Sequence, residues 1–240
     1  MKISLCIPMY NEERNVRTTL NLVSSYMDSV FGDDYEVIFI NDGSRDGCAN
    51  IVRRYSEDVN NKIRLLEYTE NRGKGYAVRQ GVLASNGDIV MFTDCDLAYG
   101  TDVIKTFYDE MEKTKADIAV GSRNKDKSGY EGYSLLRKVI SKIYIKVLCI
   151  IGGLKLSDSQ CGCKAFRSEM GKKIFSHCEV DRFAFDFEAI LIGTKFGADI
   201  IEIPVKILQN SESSMHIVRD SIKMVKDIIA MKKRIRKMKK

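Results

Sequence analysis

Five short apolar runs recur through the first half of the chain, each followed by a segment whose apolar positions fall three and four residues apart. Residues 3–7, 35–40, 62–67, 88–93 and 117–120 read as strands. Several are almost continuously apolar, as strands covered on both faces are. Between them, 12–28, 48–55, 75–84 and 101–113 read as helices, with Val16, Leu20 and Val23 on one face of the first. This alternation predicts an α/β fold: a mostly parallel, Rossmann-like sheet with helices on both faces. Beyond Gly121 the regularity stops. Residues 122–129 form a polar loop, 135–151 a long apolar and basic helix, 155–166 an irregular stretch rich in small residues, 185–194 a helix and 198–205 a strand. The expected organisation is one domain over 1–215 with a basic amphipathic helix, 216–240, appended to it.

Charge changes this picture little. The chain has 240 residues and a net charge of +6, but seven cations fall in its last ten residues, which leaves the rest at about −1. Basicity is therefore a property of the tail, and a nucleic-acid-binding surface is not indicated. The longest apolar run, 143–154, is broken by Lys146 and Gly152-Gly153 and falls short of the ~20 residues a membrane span needs. Seven cysteines and a start that runs directly into the first strand point to a reducing cytosolic setting. Cys161, Cys163, His177 and Cys178 fit no usual zinc spacing, so these thiols are expected to be buried as small hydrophobes.

Candidate chemistry gathers at the strand ends. The first four strands run into Pro8-Met-Tyr-Asn-Glu12, Asn41-Asp-Gly-Ser44, Glu70-Asn-Arg-Gly-Lys-Gly75 and Asp94-Cys-Asp96. In a doubly wound sheet these loops converge on one crevice. Tyr10 offers a face to a base, Glu12 and Asp42 offer acceptors to ribose or base edges, and Arg72 and Lys74 offer charge to phosphate. Gly73 and Gly75 permit close backbone approach. Asp94 and Asp96 suit Mg²⁺ or Mn²⁺, which takes one or two carboxylates and completes its shell with water and phosphate oxygens. Gly73-x-Gly75 is not a dinucleotide fingerprint, because Val78 holds the third glycine position and the motif follows the third strand rather than the first.

With IPMYNEERNV, FINDGSRDG, ENRGKGYAVRQG, FTDCDLAYG, VGSRNK, SDSQCGCKAF and DRFAFDFEAI in place, the chain resembles the inverting glycosyltransferases of family 2, which have the GT-A fold. Within that family it resembles the polyprenyl-phosphate sugar transferases, the dolichyl-phosphate glucose and mannose enzymes, over about residues 3–215. The resemblance implies that Pro8, Tyr10, Glu12, Asp42, Arg72 and Lys74 bind the nucleotide-sugar donor and that Asp94 and Asp96 ligate the metal on its diphosphate. Arg123, Arg137 and Lys164 match basic positions associated with the donor sugar and the acceptor phosphate, and Asp158 and Gln160 join Arg137 and Lys164 as acceptor-binding candidates. Three positions depart from the pattern. Asn41 replaces the first acid of D-D-G-S, Ala98 stands where the mannose enzymes carry glutamine, and Ser211-Glu-Ser-Ser214 stands where a G-x-S-K turn supplies lysine.

The expected activity is inverting transfer of a hexose, with UDP-glucose favoured as donor, to a dolichyl or undecaprenyl phosphate. A phosphate monoester is largely dianionic at neutral pH and attacks unaided. A glycan hydroxyl, the alternative acceptor, needs a base, for which Asp186 and Glu188 are the candidates; they serve equally as a pair at a helix start. A catalytically silent nucleotide- and membrane-binding homologue is the third reading. The helix over 135–151 sets Arg137, Lys138, Lys142 and Lys146 among bulky apolar residues, and the last helix sets Ile222, Val225, Ile228, Ile229 and Ile235 beside its cations. Such helices either lie in a membrane interface or pack on a core beside a solvated tail. The expected location is peripheral, at the cytoplasmic face of a membrane. Base, sugar, lipid and self-association as a homo-oligomer stay open.

Overall fold

The computed structural model describes residues 1–126, 128–130, 135–182, 184–208 and 217–238, in backbone alone at 136, 137 and 217–226. Its elements are β1 (Ile3–Met9), α1 (Glu13–Phe31), β2 (Tyr35–Asp42), α2 (Cys48–Asp58), β3 (Ile63–Tyr68), α3 (Lys74–Ala84), β4 (Ile89–Phe92), α4 (Asp102–Thr114) and β5 (Ile118–Ser122). They continue with α5 (Leu135–Gly152), β6 (Lys164–Arg167), α6 (Ser168–Phe175), α7 (Phe185–Phe196), β7 (Ile200–Pro204) and α8 (Ile217–Lys237). The sheet order is β3-β2-β1-β4-β6-β5-β7. Only β6 runs antiparallel, to β4 on one side and β5 on the other.

Period-two alternation divides the interior into two cores, one on each face of the sheet. On β1, Ile3, Leu5 and Ile7 enter one core and Cys6 the other; on β4, Ile89 and Met91 oppose Val90 and Phe92. Helices α1, α2 and α4 cover the first core through Val16, Leu20, Val23, Val52, Phe107 and Met111. The second is covered by α3, α6, α7 and the helices α5 and α8. Helix α1 begins where the Asp46 carboxylate accepts the Glu13 backbone N–H at 2.9 Å. It ends at Gly32, whose φ of +60° suits a residue without a Cβ.

One expectation needs correction. The stretch 155–166, read as irregular, leads into β6, a four-residue strand with a cation at each end and no apolar run to announce it. The C-terminal helix, expected as an appendage to the domain, takes the core-packing course over its described part: Ile228, Met231 and Ile235 are buried in the second core. Burial of such side chains contributes roughly 1.5–3 kcal/mol each, which holds the described part of α8 against the domain. Ile229 alone of the described apolar residues named there is exposed; Ile222 and Val225 lie outside the described side chains.

Candidate active site

The strand order reverses between β1 and β4, and the crevice beyond their carboxyl ends is where such sheets bind ligands. The β1–β4 ladder stops at Cys6↔Phe92, while β1 continues beside β2 through Pro8↔Ile40 and Met9↔Asn41. Pro8, which has no N–H to donate, therefore sits buried just past the end of β4, and the chain opens at Tyr10, 44% exposed. Asn11 takes a left-handed φ of +57° and ties this turn to the next loop. Its N–H donates to Ser44 Oγ at 3.0 Å, and its Oδ1 accepts the Arg45 N–H at 2.9 Å. The Glu12 carboxylate accepts Asn15 Nδ2 at 2.8 Å.

Asp42, expected at the nucleoside, is held by four hydrogen bonds within the chain. One of its oxygens accepts the Tyr68 hydroxyl and the Arg72 N–H, and the other accepts Asn71 Nδ2 and the Gly73 N–H, all at 2.8 Å. Accepting two hydrogen bonds on each oxygen, this buried carboxylate holds the 70–73 loop in place. Above it the Arg72 guanidinium lies 3.8 Å from the centre of the Tyr76 ring. The two glycines also admit something other than a phosphate. A Cβ at Gly73 would stand 2.5 Å from the Asp181 carbonyl oxygen, and one at Gly75 2.5 Å from that of Val180.

Lys74 starts α3 and reaches the Asp94 Oδ1 carboxylate oxygen. Burial by itself disfavours its charge, but Asp94, with Asp186 and Asp96 behind it, outweighs burial and raises the ammonium above the usual lysine range. The other Asp94 oxygen faces Gly162, where a Cβ would stand only 2.5 Å away. Antiparallel β6 causes this contact, since it brings its amino end to the rim where β4 ends. Asp96 accepts the Ala98 N–H on Oδ1 at 3.1 Å, across a turn in which Leu97 has a φ of +49°.

The donor set fits a hard divalent cation. Asp94 and Asp96 are both partly exposed at the rim, the missing side chain at Gly162 leaves space against Asp94, and no third His, Cys, Asp or Glu among the described residues joins them. Two carboxylates leave most of the coordination shell to water and phosphate.

The remaining site residues divide sharply. Arg123 forms a two-pronged pair with the fully buried Asp158, Nε to Oδ2 at 2.7 Å and Nη2 to Oδ1 at 3.0 Å. Asp158 also accepts the backbone N–H groups of Arg123 and Gln160. It braces the rim, while the buried Nε2 of Gln160 has no hydrogen-bond partner among the described residues. Lys164, expected on a phosphate, is 0% exposed and donates to Asp186 at 2.8 Å and to the Cys161 carbonyl at 2.6 Å. Glu188 is sealed in as well. It accepts the N–H groups of Glu179 and Val180 at 3.0 and 2.9 Å and pairs with Arg234. Both candidate bases are thus paired with cations of the chain itself. The side chain of Arg137, the loop residues 131–134 and Ser214 lie outside the described residues.

Sequence reading missed Gly162 and Tyr130. The Tyr130 ring, 3% exposed, is surrounded by Arg123 at 5.4 Å, Lys142 at 5.6 Å and Lys138 at 6.0 Å. Lys138 and Lys142, one turn apart near the start of α5, pair with no carboxylate among the described residues. Cations at a helix amino terminus oppose its dipole, an arrangement that an anion would relieve. The only sequence signal was the four-residue spacing of the two lysines. All seven cysteines are buried and free.

Comparison with known proteins gives the family and the fold. The sequence model described as "Glycosyl transferase family 2" matches residues 4–175. Dolichyl-phosphate beta-glucosyltransferase of Dictyostelium discoideum is 32% identical over 238 residues, covering 92% of this chain and 71% of that protein. The Homo sapiens protein of the same name is 30% identical over 223 residues, covering 85% and 66%. Among solved structures, glucosyl-3-phosphoglycerate synthase from Mycobacterium tuberculosis, in complex with Mn²⁺, UDP-glucose and phosphoglyceric acid, superposes with a TM-score of 0.68 at 17% identity, covering 100% of this chain and 81% of that one. The mannosyltransferase PcManGT from Pyrobaculum calidifontis, in complex with GDP-mannose and Mn²⁺, gives 0.65 at 19% identity, covering 99% and 65%. The fold is therefore the GT-A arrangement, and the chain belongs to glycosyl transferase family 2.

Proposed function

We propose that this glycosyltransferase moves a hexose, with inversion, from a nucleoside-diphosphate sugar to a polyprenyl phosphate, with UDP-glucose as the favoured donor. The names of its relatives support a dolichyl-phosphate acceptor and glucose as the sugar. One observation carries the choice of acceptor class: Asp186 and Glu188 are both committed to internal cations. A sugar hydroxyl would lack its base there, whereas a phosphate dianion needs none.

In this reading Tyr10 and Glu12 flank the nucleoside, and Arg72 and Lys74 meet the diphosphate. Asp94 and Asp96 would hold Mn²⁺ or Mg²⁺, which when bound supplies positive charge to the departing diphosphate. Lys74, already held at Asp94, adds a fixed cation at the same place, so the charge that builds as the anomeric bond breaks is met without reorganisation. The acceptor phosphate goes to the cations around Tyr130. From there α5 offers its lipid a continuous path: Leu135, Val139, Ile143, Val147 and Ile150 are exposed along one side, four, four, four and three residues apart. That stripe, with Lys138, Lys142 and Lys146 beside it, supports peripheral attachment at the cytoplasmic face of a membrane, with α5 lying in the head-group boundary. No described helix is long and apolar enough to cross a membrane.

A donor screen tests the proposal. UDP- and GDP-hexoses are offered with Mn²⁺, with and without polyprenyl phosphate, and release of nucleoside diphosphate is followed. Release that depends on the lipid phosphate is the expected result. Release driven by a water-soluble glycan and indifferent to the lipid would overturn it.

A further inference from the structure

The C-terminal helix reaches the donor site through a series of direct contacts. Arg234 of α8 forks, with Nη1 on Glu179 and Nη2 on the buried Glu188 in the first turn of α7. The second Glu188 oxygen accepts the N–H groups of Glu179 and Val180, which fixes the chain just before α7. Arg79 of α3 secures the same segment from the other side, donating to the Cys178 carbonyl at 2.9 Å and the Asp181 carboxylate at 2.6 Å. The carbonyls of Val180 and Asp181 then lie against Gly75 and Gly73, the two neighbours of Lys74, and Asp181 O accepts the Tyr76 N–H at 3.1 Å. Segment 178–181 is thus a wedge between α8 and the start of α3. Lys74 leaves that start toward Asp94.

We infer that Arg234 is a positioning residue for the donor: through Glu188 and the 178–181 segment it sets where the first turn of α3 carries Lys74. This gives the C-terminal helix a part in donor binding, outside the 4–175 segment that the family model matches. The inference rests on the reading that Lys74 meets the diphosphate. A guanidinium suits the task because its planar fork engages two carboxylates at once, which a lysine ammonium at the end of a flexible stem does not do in fixed geometry.

The test is a double-mutant cycle read in equilibrium binding of UDP, or GDP if the donor screen selects it, with Mn²⁺ present. The Arg234→Met/Glu188→Gln pair removes both charges, so no buried carboxylate is left unpaired, and the amide oxygen introduced by Glu188→Gln can still accept from the backbone. We expect about five- to tenfold weaker nucleotide binding in the parent background and less than about twofold in a Lys74→Met background, because coupled residues are non-additive. Arg234→Lys should fall between parent and pair. Lys232→Met, which frees the Ile151 carbonyl from the α8 amine without touching the wedge, should bind as the parent does. Circular dichroism melts confirm that each variant is folded at the assay temperature. Parental affinity in the folded Arg234→Met/Glu188→Gln variant overturns the inference, and so does an equal loss with and without Lys74. A parent chain that binds no nucleoside diphosphate refutes the donor reading itself; in a parent that binds, an unaffected affinity in Lys74→Met refutes the placing of Lys74 on the diphosphate, whereas parental affinity in the pair with a loss in Lys74→Met refutes the wedge alone.

Discussion

Gly162→Ala isolates the site from the fold. Gly162 has no left-handed φ, so alanine is acceptable to the backbone, and the entire cost is one methyl group placed 2.5 Å from an Asp94 carboxylate oxygen. Restoring ordinary contact requires that carboxylate to retreat by roughly 1 Å. The displaced group is the end of a partly exposed side chain at a strand terminus, so stability should change by no more than about 0.5 kcal/mol, roughly 1–2 °C in melting temperature. The same retreat draws Asp94 from Lys74 and from a shared cation. A misplacement of ~1 Å costs about 10²-fold in rate, or about 2.7 kcal/mol of transition-state stabilisation. The assay is steady-state release of nucleoside diphosphate, paired with a calorimetric melt. Gly87→Ala is the counterpart, since its Cβ would stand 2.5 Å from the Ser4 backbone nitrogen and 2.6 Å from the Ile3 carbonyl carbon, atoms that cannot swing aside. It should lose roughly 1–3 kcal/mol of stability while the folded fraction keeps its turnover. A Gly162→Ala enzyme with parental kcat/KM, or one that melts as early as Gly87→Ala, would refute the reasoning.

Asp94→Asn and Asp96→Asn should each weaken Mn²⁺ binding beyond detection at millimolar metal while melting within about 2 °C of the parent, measured by isothermal titration and calorimetry. Val139→Glu and Ile143→Glu together should reduce sedimentation with anionic vesicles without altering release of nucleoside diphosphate on a short-chain, water-soluble polyprenyl phosphate; unchanged sedimentation would remove α5 from the interface. Acid stability should follow Glu36, Asp28 and Asp46. Burial pushes each carboxyl up, but Ser4, Asn86 and Arg64 around Glu36, Lys62 and Tyr35 around Asp28, and Cys48 and the Glu13 N–H around Asp46 outweigh it, so all three titrate below their usual values. Their contribution is complete above the unfolded values of about 4 and is lost as pH falls through the folded ones, so urea midpoints should drop below about pH 4.5. Glu36→Gln should flatten that acid limb.

The first five strands were legible because their runs are apolar and regularly spaced, and the rim residues followed from where those runs stop. Strand β6 was not, because its four residues, Lys-Ala-Phe-Arg, include a fully buried lysine that is tolerable only with Asp186 arriving from α7. The two roles open for Asp186 and Glu188 could not be separated locally, since the deciding partners are Lys164 and Arg234, 22 and 46 residues away. Gly73 and Gly75 were rightly read as places of close approach, but what approaches is the chain's own segment 180–181. The helical period of α8 was visible, whereas the cover over its apolar side exists only in three dimensions.

The central claim is inverting transfer to a lipid phosphate, and the most direct measurement follows the sugar itself. Purified protein is incubated with labelled UDP-glucose, Mn²⁺ and dolichyl phosphate in vesicles, the organic phase is extracted, and the anomeric configuration of the product is read by NMR. The account predicts a β-linked, acid-labile glucosyl phospholipid that is absent when chelator is in excess and absent in Asp94→Asn. Label that stays in the aqueous phase on a glycan hydroxyl, or an α-linked lipid product, would contradict it.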